Sequence, residues 1–207
     1  MDRDYHALPI RELGGGAGFR RPTHAQAAKV SIKSPALEVM TDLARVTPAT
    51  IRPQAPLAGA NQFMITRGVR LLLVVDDHEN VLGVITATDI LGERPMLVAT
   101  ERGMRRDEIT VADVMIPAER VEVIALSDVQ GARVGHVLET LRRAGRQHAL
   151  AIDFDEIPSG RPLMPPGKRA MVRGIFSISQ IARQLGVSVA TGGEVARTFS
   201  EIGAAIK

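Results

Sequence analysis

The feature that most constrains this chain is an internal repeat. Gly68 recurs as Gly145 at a spacing of 77 residues, Gly83 as Gly174 at 91, and Leu37-Glu38-Val39-Met40 returns as Ala112-Asp113-Val114-Met115 at 75. A period of this kind restricts the architecture more than any local propensity. A unit of about fifty residues buries too little surface to be comfortably stable alone and needs its second copy to pack against. The growth of the spacing from 77 to 91 matches an insertion of 14 residues between two strands of the second copy.

Within each copy the periodicity predicts strand, helix, strand, strand, helix. Leu57, Ala60, Met64 and Ile65 form a helical stripe that Gly68 stops. Leu71-Leu72-Leu73-Val74-Val75 is a buried-strand run, Asp76 to Asn80 a polar turn, and Val81 to Ile85 a second strand. So short a turn forces the two strands to pair antiparallel. Thr86-Ala87-Thr88-Asp89 then puts hydroxyls and a carboxylate where a helix begins. In the second copy Val134, Val137, Leu138 and Leu141 share one helical face ended by Gly145. His148 to Asp153 and Ala170 to Phe176 are strands, and Ser177 to Ile181 opens a helix.

The fold class expected is α/β (α+β): two βαββα motifs packed sheet to sheet with pseudo-two-fold symmetry and clefts between the halves. The expected division is a flexible basic arm (1–33), the first motif (34–98), a linker (99–110), the second motif (111–187, with an insertion at 154–169) and a tail helix (188–207).

Composition removes several functional classes. There is no Cys, which excludes disulfides, thiolate metal sites and thiol catalysis. The five His show no ligand spacing, so no metal site is expected, and no nucleophile elbow or dinucleotide fingerprint suggests an enzyme. Aromatic residues are only 3%, against base-stacking platforms, and a net charge of +3 falls short of a nucleic-acid-coating surface. No apolar run has membrane-spanning length and the N-terminus lacks a signal pattern, so a cytoplasmic protein is expected.

The residues of both copies resemble a known family. Val39-Met40-Thr41, Thr50-Ile51-Arg52-Pro53 before a helix, Gly68-Val69-Arg70 with Leu72, and Gly83-Val84-Ile85-Thr86-Ala87-Thr88-Asp89 look like a CBS (cystathionine-β-synthase) motif. Gly174-Ile175-Phe176-Ser177-Ile178-Ser179-Gln180 looks like a diverged second one. The resemblance implies a Bateman module: a non-catalytic sensor, commonly dimeric, binding AMP, ADP, ATP or S-adenosylmethionine and needing no cofactor, with an unspecified regulated partner. It implies nucleotide contacts from Thr50, Ile51, Arg70, Leu72, Thr86 and Asp89 in the first copy. A carboxylate at Asp89 would accept both ribose hydroxyl protons. In the second copy Gln180 stands where the carboxylate belongs, so His148, Ser177 and Gln180 imply a weaker site.

Other readings of the same residues stand beside these. Thr86 and Asp89 also fit a plain helix cap, and Asp76 and Asp153 fit turns. Arg102, Arg105 and Arg106 fit a solvated face. A ligand-free dimerisation module is the alternative function. A DNA-binding segment over 181–197 is weaker, because Gly192-Gly193 would break its recognition helix at about 1 kcal/mol each.

Overall fold

The computed structural model of the chain describes residues 30–156, 168–187 and 195–205. The rest of the expected arm, the centre of the insertion at 157–167, and residues 188–194 of the segment considered for DNA binding lie outside the described residues.

The first copy runs β2 (Thr50–Ile51), α1 (Leu57–Arg67), β3 (Leu71–Val75), β4 (Val81–Thr86) and α2 (Ala87–Leu91). The second runs β6 (Val123–Ala125), α5 (Leu126–Gly131), α6 (Val134–Ala144), β7 (His148–Glu156), β8 (Lys168–Ser177) and α7 (Ile178–Gln184). Helices α1 and α6 both end on a left-handed glycine, Gly68 at φ 64° and Gly145 at φ 62°, a conformation that side chains resist and glycine does not. The second strand pair carries the same irregularity as the first, a register shift at Val74/Val75 and again at Ala151/Ile152. Helix α5 has no counterpart in the first copy and was not foreseen.

The repeats are bound together by exchanged strands. The residues before each copy form a short strand, β1 (Thr41–Asp42) and β5 (Ile116–Pro117), which joins the sheet of the opposite copy. The sheets therefore read β2-β3-β4-β5 and β1-β8-β7-β6. Strand β5 lies antiparallel on β4 with Pro117 opposite Gly83; β1 lies on β8 with Asp42 opposite Gly174. This explains the repeated glycine. A Cβ on Gly83 would strike the backbone of Ile116 and Pro117, and one on Gly174 would strike the Met40 side chain. An Arg173–Asp42 ion pair ties the second junction.

Strand β3 is buried along its whole length because both of its faces are covered. Leu72 and Val74 point to the helices, with Leu57, Ala60, Met64 and Ile90. Leu71, Leu73 and Val75 point to the other sheet and meet Leu150 of the second copy. The second helix-side core gathers Val134, Val137, Leu141, Phe176 and Ile181.

Three further α-helices among the described residues join or flank the repeats. Helix α3 (Arg94–Arg102) and the short α4 (Val111–Val114) connect them; Arg102 is ion-paired with Asp113 and Arg105 with Asp107. Helix α8 (Val195–Ala205) inserts Ile202 into the second helix-side core. That burial commits one face of α8 to packing. Among the described residues no helix is long and apolar enough to cross a membrane.

Candidate site: two clefts between the repeats

The strand alternation that fills the core also builds two clefts where the sheets meet. Leu71 and His148 are equivalent positions of the two copies, the first residues of β3 and β7, and both line both clefts. They form the wall between them. The residue before each lines one cleft only: Arg70 the larger, Gln147 the smaller. The carbonyls of Arg70 and Gln147 accept from the amides of Ala87 and Ile178 at 3.0 and 2.9 Å, fixing the start of α2 and α7 against the wall.

Each cleft combines one copy's helix start with the other copy's strand approach. The larger, about 650 Å³, is lined by Thr47 and Arg70 from the first copy and by Ser177, Ser179, Gln180 and Arg183 from the second. The smaller, about 120 Å³, is lined by Thr86, Thr88 and Asp89 from the first and by Arg120, Glu122 and Arg146 from the second. A hollow of about 400 Å³ adjoins it, sharing Glu122, Arg146 and His148.

The structure therefore divides the residues grouped by sequence. Thr86 and Asp89 stay together in the smaller cleft, whereas Arg70 joins His148, Ser177 and Gln180 in the larger. Leu72 lines neither: it is fully buried on the helix side of β3, and parity along the strand hands the wall position to Leu71. Thr50 and Ile51 also line neither; Ile51 packs on the first helix-side core, and the approach to the larger cleft is made by Thr47, Pro48 and Ala49 just before them. Arg183, Arg120 and Arg146 were missed, because their places depend on strand exchange between copies. The recurrence of Val39-Met40 as Val114-Met115 was the available signal.

The two helix starts are chemically unlike. Asp89 Oδ2 accepts from Thr86 N at 2.9 Å and from Thr86 Oγ1 at 2.6 Å, a full capping box, while Arg94 lies 3.8 Å from Oδ1. This is the helix-cap role itself, worth about 0.5–2 kcal/mol. In the second copy Ser177 makes no cap; its hydroxyl is 3.0 Å from that of Ser179, and Gln180 Oε1 accepts from Thr41 Oγ1 at 2.9 Å. Asp76 holds its turn, accepting from His78 N and Asn80 N at 2.9 and 2.8 Å. Among the described residues no group of three His, Cys, Asp or Glu could hold a metal.

His148 is half-buried in the wall between the two clefts. Burial first, and then the Arg70 guanidinium, push its pKa down to about 4. The unfolded chain takes up this proton near pH 6.5, whereas the folded chain refuses it until about pH 4. Folding stability must therefore fall as pH drops through that window. His148→Leu, which copies Leu71, is expected to flatten the fall between pH 6.5 and 4 in urea unfolding midpoints. Parallel wild-type and mutant profiles would show that the imidazole is not enclosed.

Fold and clefts together define a pair of interlocked βαββα motifs. Residues 37–95 match the family model of the CBS domain. That match covers the first copy, and the second copy builds a similar topology again. An uncharacterized protein of Methanopyrus kandleri is 32% identical over 68 residues, 33% of this chain; the match spans 35% of that relative. The crystal structure of an uncharacterized conserved protein from Pyrococcus horikoshii matches with a TM-score of 0.50 at 20% identity, over 78% of this chain and 99% of its own. A CBS domain pair solved with 5′-methylthioadenosine and S-adenosyl-L-methionine matches at 18% identity with a TM-score of 0.47, over 76% and 97%.

Proposed function

We propose that the chain is a regulatory, non-catalytic CBS-pair protein that binds an adenosine-type ligand (AMP, ADP, ATP or S-adenosylmethionine) between its copies. The larger cleft carries this reading. Its volume of about 650 Å³ falls within the roughly 300–1,000 Å³ of small-molecule sites. Both copies build it, so a ligand held there touches both and favours one packing of the pair over another, which is what reporting requires.

Several features support the larger cleft over the smaller as the principal site. Arg70 offers a cation for phosphate, and the hydroxyls of Ser177, Ser179 and Thr47 offer donors and acceptors for ribose. Leu71, Met64 and Ile175 give apolar surface for a purine. Asp89, by contrast, spends one oxygen on its own helix cap. The smaller cleft is the subordinate site in this reading.

Unfolding free energy in saturating ligand tests it. At 100 times its dissociation constant a ligand adds about 2.7 kcal/mol. That gain is expected for wild type, and for Asp89→Ala after allowing for about 1 kcal/mol of lost cap. It is expected to vanish in Ser177→Ala/Gln180→Leu. No gain with any of the four ligands would sink the proposal.

A ligand-free dimerisation role has one observation of its own. Ile65, Leu91, Met96 and Leu97 are exposed apolar residues on α1 to α3, with Leu91 69% exposed. Sedimentation of wild type and Met96→Glu/Leu97→Glu, which alters neither cleft lining, separates the readings. A dimer lost in the mutant, combined with no response to any nucleotide, favours the interaction module.

A further inference from the structure

The two clefts differ in charge, and the difference discriminates among adenosine ligands. Among the described residues lining the larger cleft there is no carboxylate; their charged groups are Arg70 and Arg183. The smaller sets Asp89 and Glu122 against Arg120 and Arg146, a balanced lining. Arg70 Nε is buried and finds no acceptor among the described residues. A buried guanidinium N–H without an acceptor is a costly arrangement, and an anion placed in the cleft offsets the charge that this guanidinium carries.

Gln180 strengthens the contrast. It occupies the position at which the family pattern has a carboxylate, so that corner of the cleft carries no negative charge, and its oxygen is already engaged by Thr41. His148, beside Arg70, is held uncharged at neutral pH and does not offset the guanidinium.

We infer that the larger cleft selects by charge, admitting 5′-phosphorylated adenosine and rejecting S-adenosylmethionine, with Arg70 as the specificity-determining residue. The inference rests on the functional reading above and sharpens its ligand class. An ionised phosphate in the cleft gains a charge-assisted pair with the Arg70 guanidinium in a partly desolvated site. The sulfonium and ammonium of S-adenosylmethionine outweigh its one carboxylate. They would meet Arg70 and Arg183 with no counter-charge in the lining.

Isothermal titration of the full chain with AMP, adenosine and S-adenosylmethionine tests this, on wild type, Arg70→Gln and Arg70→Lys. AMP is expected to bind about tenfold to a hundredfold more tightly than adenosine, the span of a hydrogen bond to a charged group. S-adenosylmethionine should bind more weakly than adenosine. Arg70→Gln should bring the AMP-to-adenosine affinity ratio close to one, and Arg70→Lys should restore part of the preference. Equal binding of the three ligands, or an AMP-to-adenosine ratio untouched by Arg70→Gln, overturns charge selection and leaves the functional reading standing. Failure of every ligand to bind overturns both.

Discussion

Leu72→Ala is expected to lower the unfolding free energy by about 2–5 kcal/mol, the range for removing a buried leucine side chain. Leu72 is 0% exposed and packs with Leu57, Met64 and Ile90 between the first sheet and its helices. Truncation leaves a cavity among side chains on rigid elements, where collapse is least able to fill it. Ligand selectivity should survive, because the wall of both clefts is Leu71. Urea unfolding checks the first point, titration of the same variant the second. A loss below about 1 kcal/mol, or a selective loss of ligand affinity, would put Leu72 back at the cleft.

The second large effect is expected at the strand exchange. Gly83→Ala pushes a methyl into the main chain of Ile116 and Pro117, which is held in register on β4 and has no rotamer to change. Its cost should reach or pass the upper end of the roughly 1–3 kcal/mol typical of overpacking. Gly174→Ala meets the Met40 side chain instead, a flexible thioether that can swing aside, and should cost about 1 kcal/mol. The pair is informative because the two glycines are equivalent in sequence and differ only in what crosses them. Thermal unfolding of both variants reads the difference. Equal costs would mean that β5 yields as readily as a side chain.

Much of the fold was legible because the signals were local. The left-handed stops at Gly68 and Gly145, the turn built by Asp76, and the apolar face of α6 follow from residue type and spacing. The capping box at Thr86 and Asp89 was legible for the same reason, since its partners are three residues apart. Helix α5 was not, for Leu126–Gly131 is a short run with little periodicity of its own.

The site was legible only in part. The sequence placed Arg70 with Asp89, its neighbour across the first copy. The exchanged strands instead turn the first copy's strand approach toward the second copy's helix start, bringing Arg70 to Gln180. Leu72 and Leu71 cannot be told apart by composition, and only the covering of both faces of β3 shows which one points to the clefts.

By itself, then, the sequence determined that this protein is a duplicated βαββα unit, where its helices stop, and that its second copy lacks the carboxylate of the first. Those are properties of neighbouring residues and of the repeat. Tertiary structure decided which halves share a cleft, which face of a doubly buried strand lines it, and that Arg70 Nε is buried with no acceptor among the described residues. These depend on contacts between residues tens to more than a hundred positions apart, such as Asp42 with Gly174 and Thr41 with Gln180, and no local pattern encodes such pairings.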